Sequence, residues 1–366
     1  MHRLTLVVTH QCNFDCDYCQ QKHEDVHMSF ETAKKAIDDL VARMKSETAD
    51  PDRKAQISFY GGEPLLQKDL IEKTVSYAVS QLQEQVQVKP VFEITTNGLL
   101  LDEAFIDFAK KNRVILALSH DGAAQDPVRH DRGGNLTKER VDPILDLLLK
   151  NDPETIIMMT VHPEYAGTVS ESLKFFRSKG VRAVNITLAN GFRVNWTPES
   201  FRRLREEMEK AEVLFEQWNQ GTDCFKIIPF ENKIRNYIRS KDADSAMCHF
   251  STKKLMVDVS GRYYPCNHFI GKDDFCIGGQ DSGIDEEKIV SLESDRVEPE
   301  TCLECALRSR CRHTCACANH GHTGCMAEVS ALQCEYEKLT IELADKAARS
   351  LIMEENPAFV ARMYKE

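Results

Sequence analysis

Long apolar stretches are missing from this chain of 366 residues. The longest one near the N-terminus, residues 4–8, is too short for a membrane span or a signal peptide. Positive charge is also in deficit, because 58 acidic residues outnumber 47 Lys and Arg and give a net charge of −11. A partner with a phosphate backbone needs a surplus of Lys and Arg on some face. We therefore expect no nucleic-acid partner, no membrane partner and a cytoplasmic location.

Cysteine is absent from residues 20–223, although the chain holds fourteen cysteines. Three of them precede residue 20, and eleven lie within residues 224–334. A secreted disulfide scaffold would be small, whereas this chain is large and has no export signal. In a reducing cytosol, cysteine clusters of this kind bind metal or catalyse.

Short β-rich runs alternate with amphipathic helices through the first 220 residues. Six runs have few charges and many β-branched residues, which predicts buried strands over residues 4–8, 57–60, 91–95, 114–119, 155–161 and 183–188. The clearest helix begins with Thr197 as its N-cap and Pro198 as its first residue, and its apolar face extends to Trp218. Six strand–helix units predict parallel strands, as a doubly wound sheet or as a curved partial barrel. In both architectures the functional residues follow the strands, here in residues 9–19, 61–64, 96–98 and 120–122.

The three N-terminal cysteines lie in the loop after the first strand. Cys12, Cys16 and Cys19 are spaced as C-x3-C-x2-C. A zinc site would need a fourth ligand, for which only His10 or His23 is near. Three thiolates suit an iron–sulfur cube better, because one iron then keeps an open position for a small molecule.

The run from Cys12 to Cys19, with Tyr18 just before the third cysteine, resembles the signature of radical S-adenosylmethionine (SAM) enzymes. Residues 61–64, Gly-Gly-Glu-Pro, are similar to the motif that holds the methionyl amino group of SAM in that family. This resemblance implies that Gly61, Gly62, Glu63 and Pro64 bind SAM, and that Thr96, Asn97 and Ser119 line its nucleoside and ribose. Arg132 would bind the SAM carboxylate and Tyr18 would pack on the adenine. The alternative for these residues is an ordinary role in turns and caps.

The resemblance also implies an α/β fold of the (β/α)6 partial TIM barrel type. The reaction would begin with an electron from the reduced cluster, which cleaves SAM to methionine and a 5′-deoxyadenosyl radical. That radical would abstract a hydrogen atom from the substrate, while the barrel orients the reactants and excludes water.

The C-terminal cysteines follow a fixed formula. Cys248 is followed by twelve residues, Gly261, four residues and Cys266, and a second run has the pattern C-x2-C-x5-C-x3-C from Cys302 to Cys315, before Cys334. This pattern resembles the seven-cysteine SPASM domain, which follows the barrel in peptide- and protein-modifying radical SAM enzymes. The alternative is a pair of structural zinc sites.

The SPASM resemblance implies two auxiliary [4Fe–4S] clusters, hence three clusters in all. The distal cluster would be ligated by Cys302, Cys305, Cys311 and Cys334, and the nearer one by Cys248, Cys266 and Cys315. Cys276 is the best fourth ligand for the nearer cluster, and the alternative is an open iron that binds substrate. The remaining cysteines are expected to be small buried residues: Cys224, Cys317 and Cys325.

These patterns predict four segments in the chain. Residues 1–224 would form the barrel, 225–247 a linker, 248–340 the SPASM domain and 341–366 a C-terminal helix and tail. The helical pattern itself begins earlier, at Leu332, and extends to about Met353.

Three functions are compatible with these sequence patterns. The first is a maturase that forms a thioether, a carbon–carbon crosslink or an altered stereocentre in a ribosomal peptide. The second is an anaerobic sulfatase-maturing enzyme, which resembles this chain less because its proposed base is an Asp where this chain has Asn267, and Asn cannot accept a proton as a carboxylate does. The third is a non-catalytic iron–sulfur electron carrier or metal-stabilised binding module.

The first function implies particular partners. They are a peptide substrate and an electron donor such as a flavodoxin or a ferredoxin. The first strand begins near Leu4, which leaves no room for the leader-binding element that many peptide maturases carry at the N-terminus. We therefore expect any leader peptide to bind at the barrel mouth, at the SPASM domain or on a separate protein. Exposed clusters react with oxygen, so an anaerobic or well-reduced cytoplasm is expected.

Overall fold

The computed structural model describes residues 2–21, 23–46, 54–191, 193–222, 224–239, 254–353 and 356–364. Its strands are β1 (His2–Thr9), β2 (Phe14–Cys16), β3 (Ala55–Gly61), β4 (Val91–Thr96), β5 (Val114–Ser119), β6 (Arg129–Asp131), β7 (Ile156–Val161), β8 (Ala183–Leu188), β9 (Lys226–Ile227), β10 (Lys254–Val257), β11 (Tyr263–Tyr264), β12 (Gly278–Gly279) and β13 (Gly283–Ile284). Its helices are α1 (Phe30–Ser46), α2 (Lys68–Val86), α3 (Glu103–Lys111), α4 (Gln125–Val128), α5 (Lys138–Asn151), α6 (Val169–Ser178), α7 (Pro198–Trp218), α8 (Ile228–Arg239), α9 (Glu286–Ser294), α10 (Glu300–Leu303), α11 (Ala316–Thr323), α12 (Ala331–Met353) and α13 (Pro357–Tyr364). All six predicted strands are present.

The chain divides into two compact units whose segments interleave. The first unit comprises residues 1–15, 21–117 and 249–295, and the second comprises residues 16–20, 118–248 and 296–366. The cysteine-rich C-terminal region therefore contributes to both units. The predicted domain boundaries remain predictions, and the predicted linker contains β9 and α8 in its described part.

The first unit is built on a parallel sheet with helices α1 and α2 packed together. Its strand order is β11–β10–β1–β3–β4–β5. β1 pairs in parallel with β3 and also with β10, so a strand from the cysteine-rich region extends the sheet of the N-terminal half. β10 is not among the six strands predicted from the sequence. The core of β1 consists of Leu4, Leu6, Val7 and Val8, all of them buried, as expected for a strand covered on both faces.

The second unit continues the strand–helix alternation. β7 pairs in parallel with β8, and β8 in parallel with β9. Helix α7 begins as predicted, because the Thr197 side chain accepts from the backbone N–H of Ser200 and forms a capping box with it. Helix α12 packs on α7 and α8. The α/β fold with parallel strands is confirmed, and the strand orders β1–β3–β4–β5 in the first unit and β7–β8 in the second are compatible with a (β/α)6 partial barrel.

Within the described residues, no helix combines the length and the apolar character needed to cross a bilayer.

Candidate functional site

The Gly-Gly-Glu segment after β3 is hydrogen-bonded to the segment that leads to Cys12. The Gly62 N–H donates to the Thr9 carbonyl at 3.1 Å, and the Glu63 N–H donates to the Gln11 carbonyl at 2.9 Å. A Cβ atom on Gly61 would lie 2.1 Å from the Thr9 oxygen, and one on Gly62 would lie 2.3 Å from the Gln11 oxygen. Both glycines are thus required by the close approach of two backbone segments within the first unit.

The Glu63 carboxylate is buried and hydrogen-bonded to three donors of the protein. It accepts from the Leu65 N–H at 3.0 Å, from the Thr96 hydroxyl at 2.7 Å and from the Asn97 N–H at 2.8 Å. The first of these bonds caps the 3-10 turn that begins at Pro64. Glu63 therefore fixes the positions of Thr96 and Asn97 at the end of β4, in addition to any contact with a ligand.

Asn97 connects this network to the first cysteine. Its side-chain N–H group donates to the Asn13 side-chain oxygen at 2.7 Å and lies 4.0 Å from the Cys12 sulfur. The Phe14 N–H donates to the same sulfur at 3.3 Å. Donors directed at a thiolate stabilise its negative charge. The first unit thus brings together Cys12, residues 61–64 and residues 96–97, and their binding of SAM remains a prediction.

The other two N-terminal cysteines lie on a short turn in the second unit. The Cys19 N–H donates to the Cys16 carbonyl at 2.9 Å, and the Asp17 N–H donates to the Val128 carbonyl at 3.0 Å. Cys16 is buried and Cys19 is half-buried. The Tyr18 hydroxyl between them donates to Asp121 at 2.6 Å. This bond anchors the turn to the segment that follows β5.

Asp121 and Arg129 form a buried ion pair beneath Tyr18 that the sequence analysis missed. The Arg129 Nε–H donates to Asp121 at 2.7 Å, and the Thr160 N–H donates to the same carboxylate at 2.8 Å. The Arg129 guanidinium lies 5.4 Å from the centre of the Tyr18 ring. Burial raises the pKa of Tyr18 well above its usual range, against the opposing effect of Arg129, so the hydroxyl stays protonated and keeps donating. The only hint in the sequence was the position of Asp121, two residues after Ser119.

Ser119 and Arg132 lie in the second unit, in different surroundings. Ser119 is half-buried at the end of β5, whereas Arg132 is exposed. Arg132 belongs to a turn in which Asp131 accepts from the backbone N–H groups of Gly133 and Asn135. Contact of either residue with SAM remains a prediction, and Arg129 is the arginine that the fold buries beside Tyr18.

The four cysteines assigned to the distal cluster line one cavity of about 330 Å³ in the second unit, and they are Cys302, Cys305, Cys311 and Cys334. They come from α10, two loops and α12, so the fold joins positions 32 residues apart. Burial raises the pKa of the Cys311 thiol to about 12, and the nearby Glu337 carboxylate adds to the shift. Metal binding at this thiol would therefore release a proton. Four convergent thiols fit an iron–sulfur cluster.

A buried ion pair holds the Cys311 segment in place. The Lys233 ammonium pairs with the Glu337 carboxylate and also donates to the Arg310 carbonyl at 2.9 Å. Glu337 in turn accepts from the Arg312 N–H at 2.9 Å. The residues on both sides of Cys311 are thus bonded to one pair from α8 and α12.

The ligands predicted for the nearer cluster are divided between the units. Cys248 lies outside the described residues, Cys266 and Cys276 belong to the first unit, and Cys315 belongs to the second. The Cys266 thiol donates to the side-chain oxygen of Asn267 at 3.1 Å. The sulfurs of Cys315 and Cys317 are 3.6 Å apart. The ligand set of this cluster remains a prediction. Within the described ranges, no group of three or more His, Cys, Asp or Glu side chains is arranged to hold a single metal ion.

Residues 6–176 match the model of the radical SAM superfamily, which confirms the resemblance seen in the N-terminal motifs. Three curated relatives are similar over different lengths. An uncharacterised protein of Methanocaldococcus jannaschii, MJ0907, is 36% identical over 124 residues, which are 33% of this chain and 39% of that protein. The cysteine-type anaerobic sulfatase-maturating enzyme of Clostridium perfringens is 21% identical over 71% of this chain and 72% of its own length. The radical SAM cyclopropyl synthase TigE of Paramaledivibacter caminithermalis is 21% identical over 92% of this chain and 72% of its own length.

Two solved structures share the fold. anSMEcpe with bound AdoMet and the Cp18Cys peptide has a TM-score of 0.76 at 20% identity, covering 95% of this chain and 99% of that one. SuiB of Streptococcus suis, bound to its precursor peptide SuiA, has a TM-score of 0.62 at 14% identity, covering 90% of this chain and 75% of that one.

Proposed function

We propose that this chain, whose residues 6–176 match the model of the radical SAM superfamily, is a maturase that modifies a peptide by hydrogen-atom abstraction. The observation that carries this proposal is the four-cysteine cavity, which lies outside the matched residues 6–176. A radical SAM domain needs only its own three cysteines, whereas a second cysteine site after the barrel resembles the peptide-modifying class. Peptides are bound in the solved structures of both anSMEcpe and SuiB.

The proposed cofactors are SAM and three [4Fe–4S] clusters. Cys12, Cys16 and Cys19 would hold the first cluster, which would supply the electron for cleavage of SAM to methionine and a 5′-deoxyadenosyl radical. SAM would be held by the backbone of residues 61–64 and by the side chains of Thr96 and Asn97. Glu63 would keep Thr96 and Asn97 in position through its hydrogen bonds to both residues. The bonds from Tyr18 and Arg129 to Asp121 would keep the Cys16–Cys19 turn in place while the cluster changes charge.

The substrate in the first proposal is a ribosomal peptide that receives a thioether or carbon–carbon crosslink or an altered stereocentre. Asn267 supports it, because an amide cannot take up a proton as the Asp at this position of sulfatase-maturing enzymes would. An external electron donor such as a flavodoxin or a ferredoxin would supply the reducing equivalents, and a separate leader-binding protein would be a further partner.

A sulfatase-maturing activity is the second candidate. It is favoured by the match to anSMEcpe, whose TM-score of 0.76 exceeds that of SuiB. The two candidates differ in their products. Formylglycine formation removes the sulfur of a cysteine and leaves an aldehyde, whereas a crosslink removes two hydrogens and keeps every heavy atom.

The test begins with anaerobic reconstitution with iron and sulfide, followed by dithionite and SAM. Formation of 5′-deoxyadenosine is expected, and its absence would overturn both enzyme functions. Replacing Cys12, Cys16 and Cys19 together by Ala should abolish this product and leave roughly two-thirds of the iron, because the auxiliary ligands lie elsewhere. Loss of all the iron would show that the ligand assignment is wrong.

A second measurement separates the two candidates. Short peptides encoded beside this chain's gene and a cysteine-containing sulfatase peptide are each incubated with the reconstituted protein and SAM. Loss of two hydrogens from an encoded peptide, or an inverted stereocentre at unchanged mass, supports the first candidate when all sulfur is retained and the peptide does not react with a hydrazide. A hydrazide-reactive sulfatase peptide that has lost sulfur supports the second and overturns the first.

A further inference from the structure

A separate cavity of about 210 Å³ lies in the second unit between the end of β8, helix α8 and helix α12. Its walls are rich in side-chain amides, and we call it the amide cavity after Asn185, Asn190, Asn232, Asn236 and Gln333. Residues 333, 336, 337 and 340 line it from one face of α12, as the helical spacing requires. Uncharged amides can bind both N–H and C=O groups, so the lining suits a peptide.

The amide cavity lies between two of the predicted cluster-binding segments. On one side, the Gln20 side chain donates to the Asn190 carbonyl at 2.6 Å and to the Asn190 side-chain oxygen at 2.8 Å. Gln20 directly follows Cys19. On the other side, Cys315 is part of the cavity wall. A ligand in this cavity would therefore contact a residue bonded to the Cys19 segment and also approach Cys315.

Two buried polar atoms of the cavity have no hydrogen-bond partner among the described residues. They are the Tyr336 hydroxyl, which can donate, and the Gln333 side-chain oxygen, which can accept. A buried unpartnered polar group costs about 1–3 kcal/mol, so a ligand that satisfies both atoms would gain this energy on binding.

The charges around the cavity leave one cation without a counter-ion. Glu337 is neutralised by Lys233, and no carboxylate of the described residues forms an ion pair with the Arg312 guanidinium. The Glu337 carboxylate and, less strongly, the Arg312 guanidinium both act electrostatically on Tyr336. Burial lowers the pKa of His322, so that side chain is neutral at pH 7. The cavity thus carries a net positive charge beside an unpartnered hydroxyl.

We propose that the amide cavity binds an acidic residue of the peptide substrate. Its carboxylate lies between Arg312 and the Tyr336 hydroxyl, and its main-chain N–H donates to the Gln333 oxygen. This inference rests on the proposed peptide-modifying function, and it specifies which kind of residue the substrate carries near the site of modification.

The test uses three labelled probe peptides, dansyl-Gly-Ala-X-Ala-Gly-amide with X as Asp, Asn or Lys. Binding to the anaerobically reconstituted protein is measured by fluorescence anisotropy at low salt. We expect the Asp probe to bind at least about tenfold more tightly than the Asn probe, because hydrogen bonds to a charged group contribute more than neutral ones. The Lys probe should bind most weakly.

Two variants and two matched controls test whether the preference for the Asp probe arises in the amide cavity. Arg312→Gln should abolish the preference for Asp over Asn, and Tyr336→Phe should reduce it severalfold. Arg349→Gln and Tyr364→Phe, which change the same residue types outside the cavity, should leave it unchanged. Iron content and circular dichroism confirm that each variant is folded and loaded.

The outcomes separate this inference from the proposed function. If 5′-deoxyadenosine forms but the probes bind equally or not at all up to millimolar concentration, the acidic-residue site is wrong and the enzyme function stands. A preference for Asp that survives Arg312→Gln would place the anion elsewhere and also overturn the inference. If no 5′-deoxyadenosine forms in any preparation, the proposed function fails regardless of what the probes do.

Discussion

Replacing Glu63 by Gln is the sharpest test of the hydrogen-bond network at the predicted SAM site. The carboxylate of Glu63 is 1% exposed and accepts from Leu65, Thr96 and Asn97. Gln keeps the length of the side chain but offers one oxygen and one NH2 group. In either orientation of the new amide, one backbone N–H, of Leu65 or of Asn97, then faces a donor.

The loss of one hydrogen bond to the carboxylate sets the expected size of the effect on local stability. A hydrogen bond to a charged group contributes about 1.5–3 kcal/mol. Since about 1.4 kcal/mol corresponds to a tenfold change in an equilibrium constant, local opening should become about 10- to 150-fold more frequent. Hydrogen exchange followed by mass spectrometry should therefore show faster exchange of the Leu65 or Asn97 amide. SAM should also bind more weakly, because Thr96 and Asn97 lose their support.

The control is Glu103→Gln, which removes the same charge from an exposed position in the first turn of α3. It should leave the exchange of both amides unchanged. Unchanged exchange in Glu63→Gln as well would refute the reasoning, because the buried carboxylate would then not be what holds the end of β4.

Three further predictions concern the second unit. Lys233→Met leaves the Glu337 carboxylate buried without a counter-ion and should lower the free energy of unfolding by about 3–5 kcal/mol, seen as a lower urea midpoint, with partial recovery when both residues become Met. Arg129→Lys cannot reproduce the two-pronged contact with its carboxylate partner and should slow SAM cleavage, whereas Arg203→Lys, at an exposed position of α7, should not. Burial raises the pKa of Glu216 to about 7, so the folded protein binds more protons than the unfolded chain between about pH 4.5 and 7. Stability should decrease as the pH rises through this range, and Glu216→Gln should flatten that dependence in thermal unfolding.

Each of these has a result that contradicts it. An unchanged urea midpoint in Lys233→Met would mean that the ion pair contributes nothing to stability. Equal rates of SAM cleavage in the two arginine variants would remove Arg129 from the support of the cysteine turn. A pH profile of unfolding that is the same with and without Glu216 would assign the dependence to another group.

Local patterns were enough to predict the strands and the best-defined helix. The six strands follow from short β-branched runs, and α7 starts at Pro198 because the Thr197 cap acts within three residues. The SPASM resemblance of the cysteine pattern also implied one shared site for Cys302, Cys305, Cys311 and Cys334, and these four residues line one cavity. In these cases the prediction depends only on neighbouring residues or on the spacing of the cysteines along the chain.

The tertiary structure decided how the site residues are supported. Residues far apart in the chain form the bonds of Glu63 to the end of β4 and of Asp121 to Tyr18. No periodicity encodes such pairings, because the partner of a buried carboxylate depends on which strand ends the fold brings together. For the same reason the sequence alone predicted neither β10, which is short and pairs with β1 across about 250 residues, nor the division of the cysteine-rich region between two units. The sequence by itself determined which residue types are available and what chemistry they predict, and long-range contacts determined which side chains support the predicted site residues.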